Sequence, residues 1–98
     1  MAPATLTPPR TRRRQSTGGG LGRPWRVIVL NDDHNTFGGV AFALSSVLPG
    51  VSYDQGMELA SKIHETGQAI VWAGDKEQAE LYWAELAGFE LTMAPLEQ

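Results

Sequence analysis

Trp25-Arg26-Val27-Ile28-Val29-Leu30-Asn31-Asp32-Asp33-His34-Asn35-Thr36 is the stretch on which the fold turns. Its first six residues are apolar and β-branched around one arginine, the composition of a buried strand. Asn31 to Asn35 are turn formers that stop the strand. Thr36 can then cap a helix whose apolar residues Phe37, Val40, Ala41, Leu44 and Leu48 share one face. Pro49-Gly50 ends that helix. Ser52 followed by Gln55 is a capping-box pattern for a second helix, with Tyr53, Met57, Ala60 and Ile63/His64 as its inner face and Gly67 as its C-terminal cap. Gln68 to Trp72 reads as a second strand. Asp75 with Gln78 caps a third helix, lined by Ala79, Tyr82, Trp83 and Leu86 and ended by Gly88. Phe89 to Met93 reads as a last strand before Ala94-Pro95. The order β-α-α-β-α-β predicts an α+β domain with a three-stranded antiparallel sheet and its helices packed on one face.

Upstream of Trp25 the composition changes. Residues 1–24 hold Arg10, Arg12, Arg13, Arg14 and Arg23, no acid, and a run of glycines from Gly18 to Gly20. With so little to bury, this extension is expected to be disordered, leaving residues 25–98 as the single folded domain. An Arg-rich, acid-free leader has the look of a plastid transit peptide, but it is short for one, and a bacterial tail is the plainer reading. The folded part sets three basic residues against all 11 acids, so charge does not suit it to nucleic acid. Only the arginine arm has that charge. The chain has no cysteine, which excludes a disulfide framework, a thiol nucleophile and a Cys-ligated zinc, and fits a reducing compartment. No apolar run approaches the ~20 residues that span a bilayer, and the N-terminus lacks the apolar core of a secretory signal.

The polar residues that stand out are Asn31, Asp32, Asp33 and His34 where the first strand exits, and His64 near the end of the second helix. Asp32, Asp33, His34 and His64 are all possible metal ligands, but adjacent loop residues seldom point at one ion and no His pair stands at i, i+4. A hydrolase is the weaker reading as well. No G-x-S-x-G motif is present, Ser45, Ser46, Ser52 and Ser61 fall within helices or at caps, and one loop does not easily hold two carboxylates on opposite sides of a substrate. Binding suits the pattern better: acceptors beside an apolar helix fit a ligand with a cationic head and a hydrophobic body, such as a free protein N-terminus, whose α-amine has a pKa near ~7.7–8.0. Turn and cap roles explain the same residue types, so residue pattern leaves both readings open.

Two segments carry a family resemblance. Val29-Leu30-Asn31-Asp32-Asp33 before an amphipathic helix, with Ile63-His64-Glu65-Thr66-Gly67-Gln68-Ala69 at matching distance, resembles the signature of ClpS, the Clp protease adaptor. The resemblance runs from about Trp25 to Gln98. Asn35-Thr36-Phe37 and Leu91 to Glu97 resemble the cyanobacterial and plastid branch more than the proteobacterial one. The fold it implies is that of ClpS, similar to the C-terminal domain of the ribosomal stalk protein.

The implied function is that of a non-enzymatic, cofactor-free adaptor in the bacterial cytoplasm, with a plastid stroma as the lesser alternative. It would recognise substrates with N-terminal Leu, Phe, Tyr or Trp and pass them to a Clp AAA+ unfoldase of the ClpC or ClpA type, with neither nucleic acid nor membrane as partner. By the resemblance, Asn31 and His64 fix the substrate's α-amine, Asp32 meets its first backbone groups, and Asp33 adds acceptor charge. Asn35, Phe37, Val40, Ala60 and Ile63 correspond to the side-chain pocket, with Met93 or Leu91 as a further wall. Ala60 and Phe37 stand where many members carry Met, and Gly38 and Gly39 replace larger residues, which leaves the preferred N-terminal residue open. The leader would engage the unfoldase. A non-degron interaction module on the same fold is the alternative, and it predicts no dependence on a free amine.

Overall fold

The computed structural model describes residues 23–98; the extension expected over 1–24 lies, up to residue 22, outside the described residues. Its elements are β1 (Trp25–Leu30), α1 (Phe37–Val47), α2 (Tyr53–Thr66), β2 (Gln68–Gly74) and α3 (Lys76–Gly88). The expected caps form. Thr36 Oγ1 accepts from Gly39 N–H at 2.9 Å at the start of α1. Ser52 and Gln55 make the reciprocal capping box of α2. Asp75 accepts from Gln78 N–H at α3. Gly67 closes α2 in the left-handed conformation, φ 94°, where a side chain would be strained.

β1 and β2 pair antiparallel, with a register shift between Val27 and Ile28. Val27 and Val29 of β1 and Ala69 and Val71 of β2 face one core, which also takes Val40 and Leu44 of α1, Ala60 and Ile63 of α2, and Ala79 and Leu86 of α3. The helices therefore gather on one face of the sheet, as expected. On the other face Ile70 is about half exposed. α1 and α2 cross closely at Gly56, where an added Cβ would lie 2.8 Å from the Ala41 carbonyl oxygen.

The sheet has two strands, not the three that the pattern predicts. The segment expected as a third strand, Phe89–Met93, lies antiparallel to β1 but pairs only through one isolated bridge, Val29 with Met93; a second bridge, Arg26 with Glu97, lies beyond the segment. The reason is local. Phe89 and Glu90 are consumed by the end of α3: Glu90 N–H donates to Ala87 C=O and Glu90 takes a positive φ of 68°. Farther on, Pro95 has no N–H to give, and the pairing slips by one residue between the two bridges. α3 ends at Gly88, as expected, and the left-handed residue beyond it is Glu90. Three residues assigned to inner faces are partly open to solvent: Phe37, 39% exposed, Tyr53, 50% exposed, and His64.

Candidate functional site

The site is built where β1 stops and α2 ends. Asn31 N–H donates to Gly67 C=O at 2.9 Å, and Gly67 N–H donates to Ile63 C=O at 2.8 Å. These bonds tie the exit of β1 to the last turn of α2, which carries His64. Asn31, Asp33 and His64 are solvent-exposed. The His64 ring meets the Phe37 ring edge-on, with centroids 5.3 Å apart.

Asp32 behaves differently from its neighbours. Its side chain is only 12% exposed. Oδ1 accepts from the backbone N–H of His34 at 3.1 Å and of Asn35 at 2.8 Å. Oδ2 accepts from Asn35 Nδ2 at 2.8 Å and from Thr92 Oγ1 at 2.9 Å. Burial pushes the Asp32 carboxyl up, but the bonds from the Asn35 side chain and backbone, Thr92 and the His34 backbone outweigh it and hold the group at about 2. Asp32 is therefore an anion at any neutral pH. Asn35 Nδ2 also donates to Glu90 C=O at 3.0 Å, so the loop grips the chain after α3 at two points.

Together these elements enclose a cavity of about 320 Å³. Its apolar walls come from Val29 and Leu30 of β1, Phe37 and Val40 of α1, Ala60 and Ile63 of α2, and Leu91. Asn31, Asp32, Asp33, Asn35 and His64 supply its polar lining. Of the ten residues that the resemblance assigns to the site, counting Met93 rather than its alternative Leu91, nine border one cavity. The tenth, Met93, does not: it bridges to Val29 and packs on the core, and Leu91, only 6% exposed, takes the wall position.

Thr92 was not a candidate from sequence, and its bond to Asp32 spans 60 residues, so no local pattern could have found it. His34 lies near Asp32, Nδ1 to Oδ1 3.8 Å, but does not line the cavity. Among the described residues no group of three or more His, Asp or Glu side chains is placed to hold a metal ion. No described helix is long and apolar enough to cross a membrane. A wider hollow of about 640 Å³ lies over the turn between α1 and α2, bounded by Ser45 to Ser52 and Tyr82. It is more open and has no acid or histidine in its lining.

The chemistry of the smaller cavity follows from its two parts. Asn31 presents a carbonyl acceptor, His64 an imidazole nitrogen, and Asp32 and Asp33 carboxylates. The C-terminal end of α2 adds the negative pole of a helix dipole. A cation is favoured at the rim, and the apolar walls favour a hydrophobic group beneath it. The volume lies at the low end of the ~300–1,000 Å³ usual for small-ligand sites.

A family model described as ATP-dependent Clp protease adaptor protein ClpS matches residues 22–96. The ATP-dependent Clp protease adapter protein ClpS of Thermosynechococcus vestitus is 53% identical over 73 residues, covering 74% of this chain and 78% of that protein. The ClpS of Nostoc sp. is 52% identical over 73 residues, 74% of this chain and 75% of that one. Both sources are cyanobacteria, the branch that the Asn35–Phe37 and Leu91–Glu97 stretches resemble. Among solved structures, Agrobacterium tumefaciens ClpS2 bound to L-phenylalaninamide matches with a TM-score of 0.66 and 28% identity, covering 76% of this chain and 98% of that one.

Proposed function

The chain belongs to the ClpS family of Clp protease adaptors, and from that premise we propose that it is a cytoplasmic N-degron adaptor, which binds substrates by a large hydrophobic N-terminal residue and delivers them to a Clp AAA+ unfoldase of the ClpC or ClpA type. The observation that carries this reading is the single cavity with acceptors at its rim and apolar walls inside it. The Agrobacterium relative is bound to L-phenylalaninamide, a ligand with a free α-amine and a benzyl side chain, the same two chemical halves. In this chain Asn31 and His64 take the amine, Asp32 and Asp33 supply the attracting charge, and Phe37, Val40, Ala60, Ile63 and Leu91 receive the side chain. The adaptor does no chemistry of its own and needs no cofactor.

Energetics support such a division of labour. Burying one large apolar side chain contributes ~1.5–3 kcal/mol. Two or three hydrogen bonds to a charged amine add ~1.5–3 kcal/mol each before ordering costs. Together these reach the ~8 kcal/mol of micromolar affinity. Neither half is sufficient alone, so discrimination requires both a free amine and a side chain that fills the cavity.

Fluorescence anisotropy tests this with a labelled peptide beginning with Leu or Phe, beside the same peptide acetylated at its N-terminus. Only the free-amine peptide is expected to bind, and Asn31→Ala or His64→Ala should abolish binding. Equal binding of the acetylated peptide would replace this reading with a non-degron interaction module. Ala60, 3% exposed and small, leaves room where many family members carry Met. An Ile-initiated peptide should therefore bind the native protein better than Ala60→Met; equal rejection by both would remove Ala60 from the specificity argument.

A further inference from the structure

Leu91 is the one apolar wall residue of the cavity that comes from neither a helix nor a strand. Its own N–H makes one long bond, to Leu86 C=O at 3.4 Å, and its side chain packs into the core, so its exact place also depends on bonds made by its neighbours. The residues on either side of it are both held by the loop after β1: Glu90 C=O accepts from Asn35 Nδ2 at 3.0 Å, and Thr92 Oγ1 donates to Asp32 Oδ2 at 2.9 Å. Asn35 Nδ2 and Asp32 Oδ2 are themselves bonded at 2.8 Å, which closes a clasp around Leu91. An ionised carboxylate offers about four acceptor sites, and Asp32 already has four donors within the protein. A peptide N–H reaches an Asp32 oxygen only by sharing or displacing one of them.

We propose that Thr92 and Asn35, through Asp32, are positioning residues that set the side-chain selectivity of the cavity by fixing the Leu91 wall. This rests on the peptide-binding reading above and deepens it. Asn31 is held separately, by its N–H to Gly67 C=O, so the clasp acts on side-chain fit and not on amine capture.

Thr92→Val tests the proposal, because it removes the hydroxyl and keeps the shape. The chain there keeps its other tethers: Leu30 N–H to Thr92 C=O at 2.8 Å, Ala94 N–H to Ile28 C=O at 3.1 Å and Trp83 Nε1–H to Ala94 C=O at 2.7 Å. Affinities are read for free-amine peptides beginning with Phe, Leu and Ala, and for the acetylated Phe peptide. The preference for Phe and Leu over Ala should fall about tenfold in Thr92→Val, the equilibrium weight of one lost hydrogen bond. The effect of acetylation should stay, and Thr92→Ser should restore the preference. A merely destabilised protein would lower all affinities by a common factor, so an unchanged preference ratio overturns the proposal. The Asp32 carboxyl, followed by NMR titration without ligand, should titrate higher in Thr92→Val; an unmoved titration likewise overturns it. If the native protein binds no free-amine peptide at all, the adaptor reading fails first and the selectivity claim falls with it, whereas native binding with an unchanged ratio sinks only the clasp.

Discussion

α2 and the segment after α3 both wall the cavity, one with Ala60 and Ile63, the other with Leu91, yet they are held in different ways. α2 carries its own supports: a capping box at Ser52, a left-handed glycine at Gly67 and fourteen residues of helix between them. The segment from Leu91 onward makes no element of its own. Its position comes from bonds supplied by β1, by α3 and by the loop at Asp32. A wall made by a capped helix is fixed by its own sequence. A wall made by a tethered segment is fixed by residues far away in the chain, and can be adjusted without unfolding the domain.

The sharpest way to break the first wall is at Gly56. A Cβ there would lie 2.8 Å from the Ala41 carbonyl oxygen and 2.9 Å from Ala41 Cα, backbone atoms that cannot step aside without parting α1 from α2. Gly56→Val should therefore destabilise the domain by about 3 kcal/mol, in the upper range for overpacking. A lowered urea midpoint at unchanged slope is the expected readout. A loss below ~1 kcal/mol would mean that the helices separate easily, and that α2 is no firmer a wall than the tethered segment.

Acid tests the second wall. The Asp32 carboxyl sits at about 2 in the folded protein against its ordinary 3.8, so the folded state binds the proton less readily than the unfolded chain. Stability from this group is then fully present above the unfolded value, and is lost as pH falls through 3.8 towards 2. The difference corresponds to about 2 kcal/mol, and Asp32→Asn should remove a similar share at neutral pH. Chemical denaturation at stepped pH should show the native protein losing stability faster than Asp32→Asn across that interval; parallel curves would sever Asp32 from the clasp.

The same contrast decides what could be read from the sequence. The cap residues Thr36, Ser52 and Asp75, and the glycine at Gly67, act within three or four residues of themselves, so each was legible and each forms as expected. The five elements from Trp25 to Gly88 follow from periodicity between those marks. Nine cavity residues were legible because two short segments, around Asn31 and around His64, resemble one family. The third strand was misread for a local reason. The apolar character of Phe89 to Met93 is what a strand would have, but the turn at Glu90 and the missing N–H of Pro95 leave too few ladder bonds to make one. Thr92 could not be found at all, since its partner lies 60 residues away and its role needs the folded loop.

The smallest effect should come from the far end of the tethered segment. Arg26 pairs there with Glu97 and also donates to Gln98 C=O at 2.9 Å. The side chains are 36% and 54% exposed, so water and salt screen the pair and its contribution is about 0.5 kcal/mol. Arg26→Met should move thermal stability slightly, the more so at low salt, and leave peptide selectivity untouched, because the Asp32 clasp and the Trp83 bond lie between this pair and Leu91. Amide exchange separates the cases. Faster exchange at Arg26, whose N–H donates to Glu97 C=O, with Leu30 unchanged, would show that the segment loosens from its end while the cavity wall stays fixed. Equal loosening at Leu30, which donates to Thr92 C=O, would show that the segment is held as one piece, so that even a screened surface pair reaches the cavity.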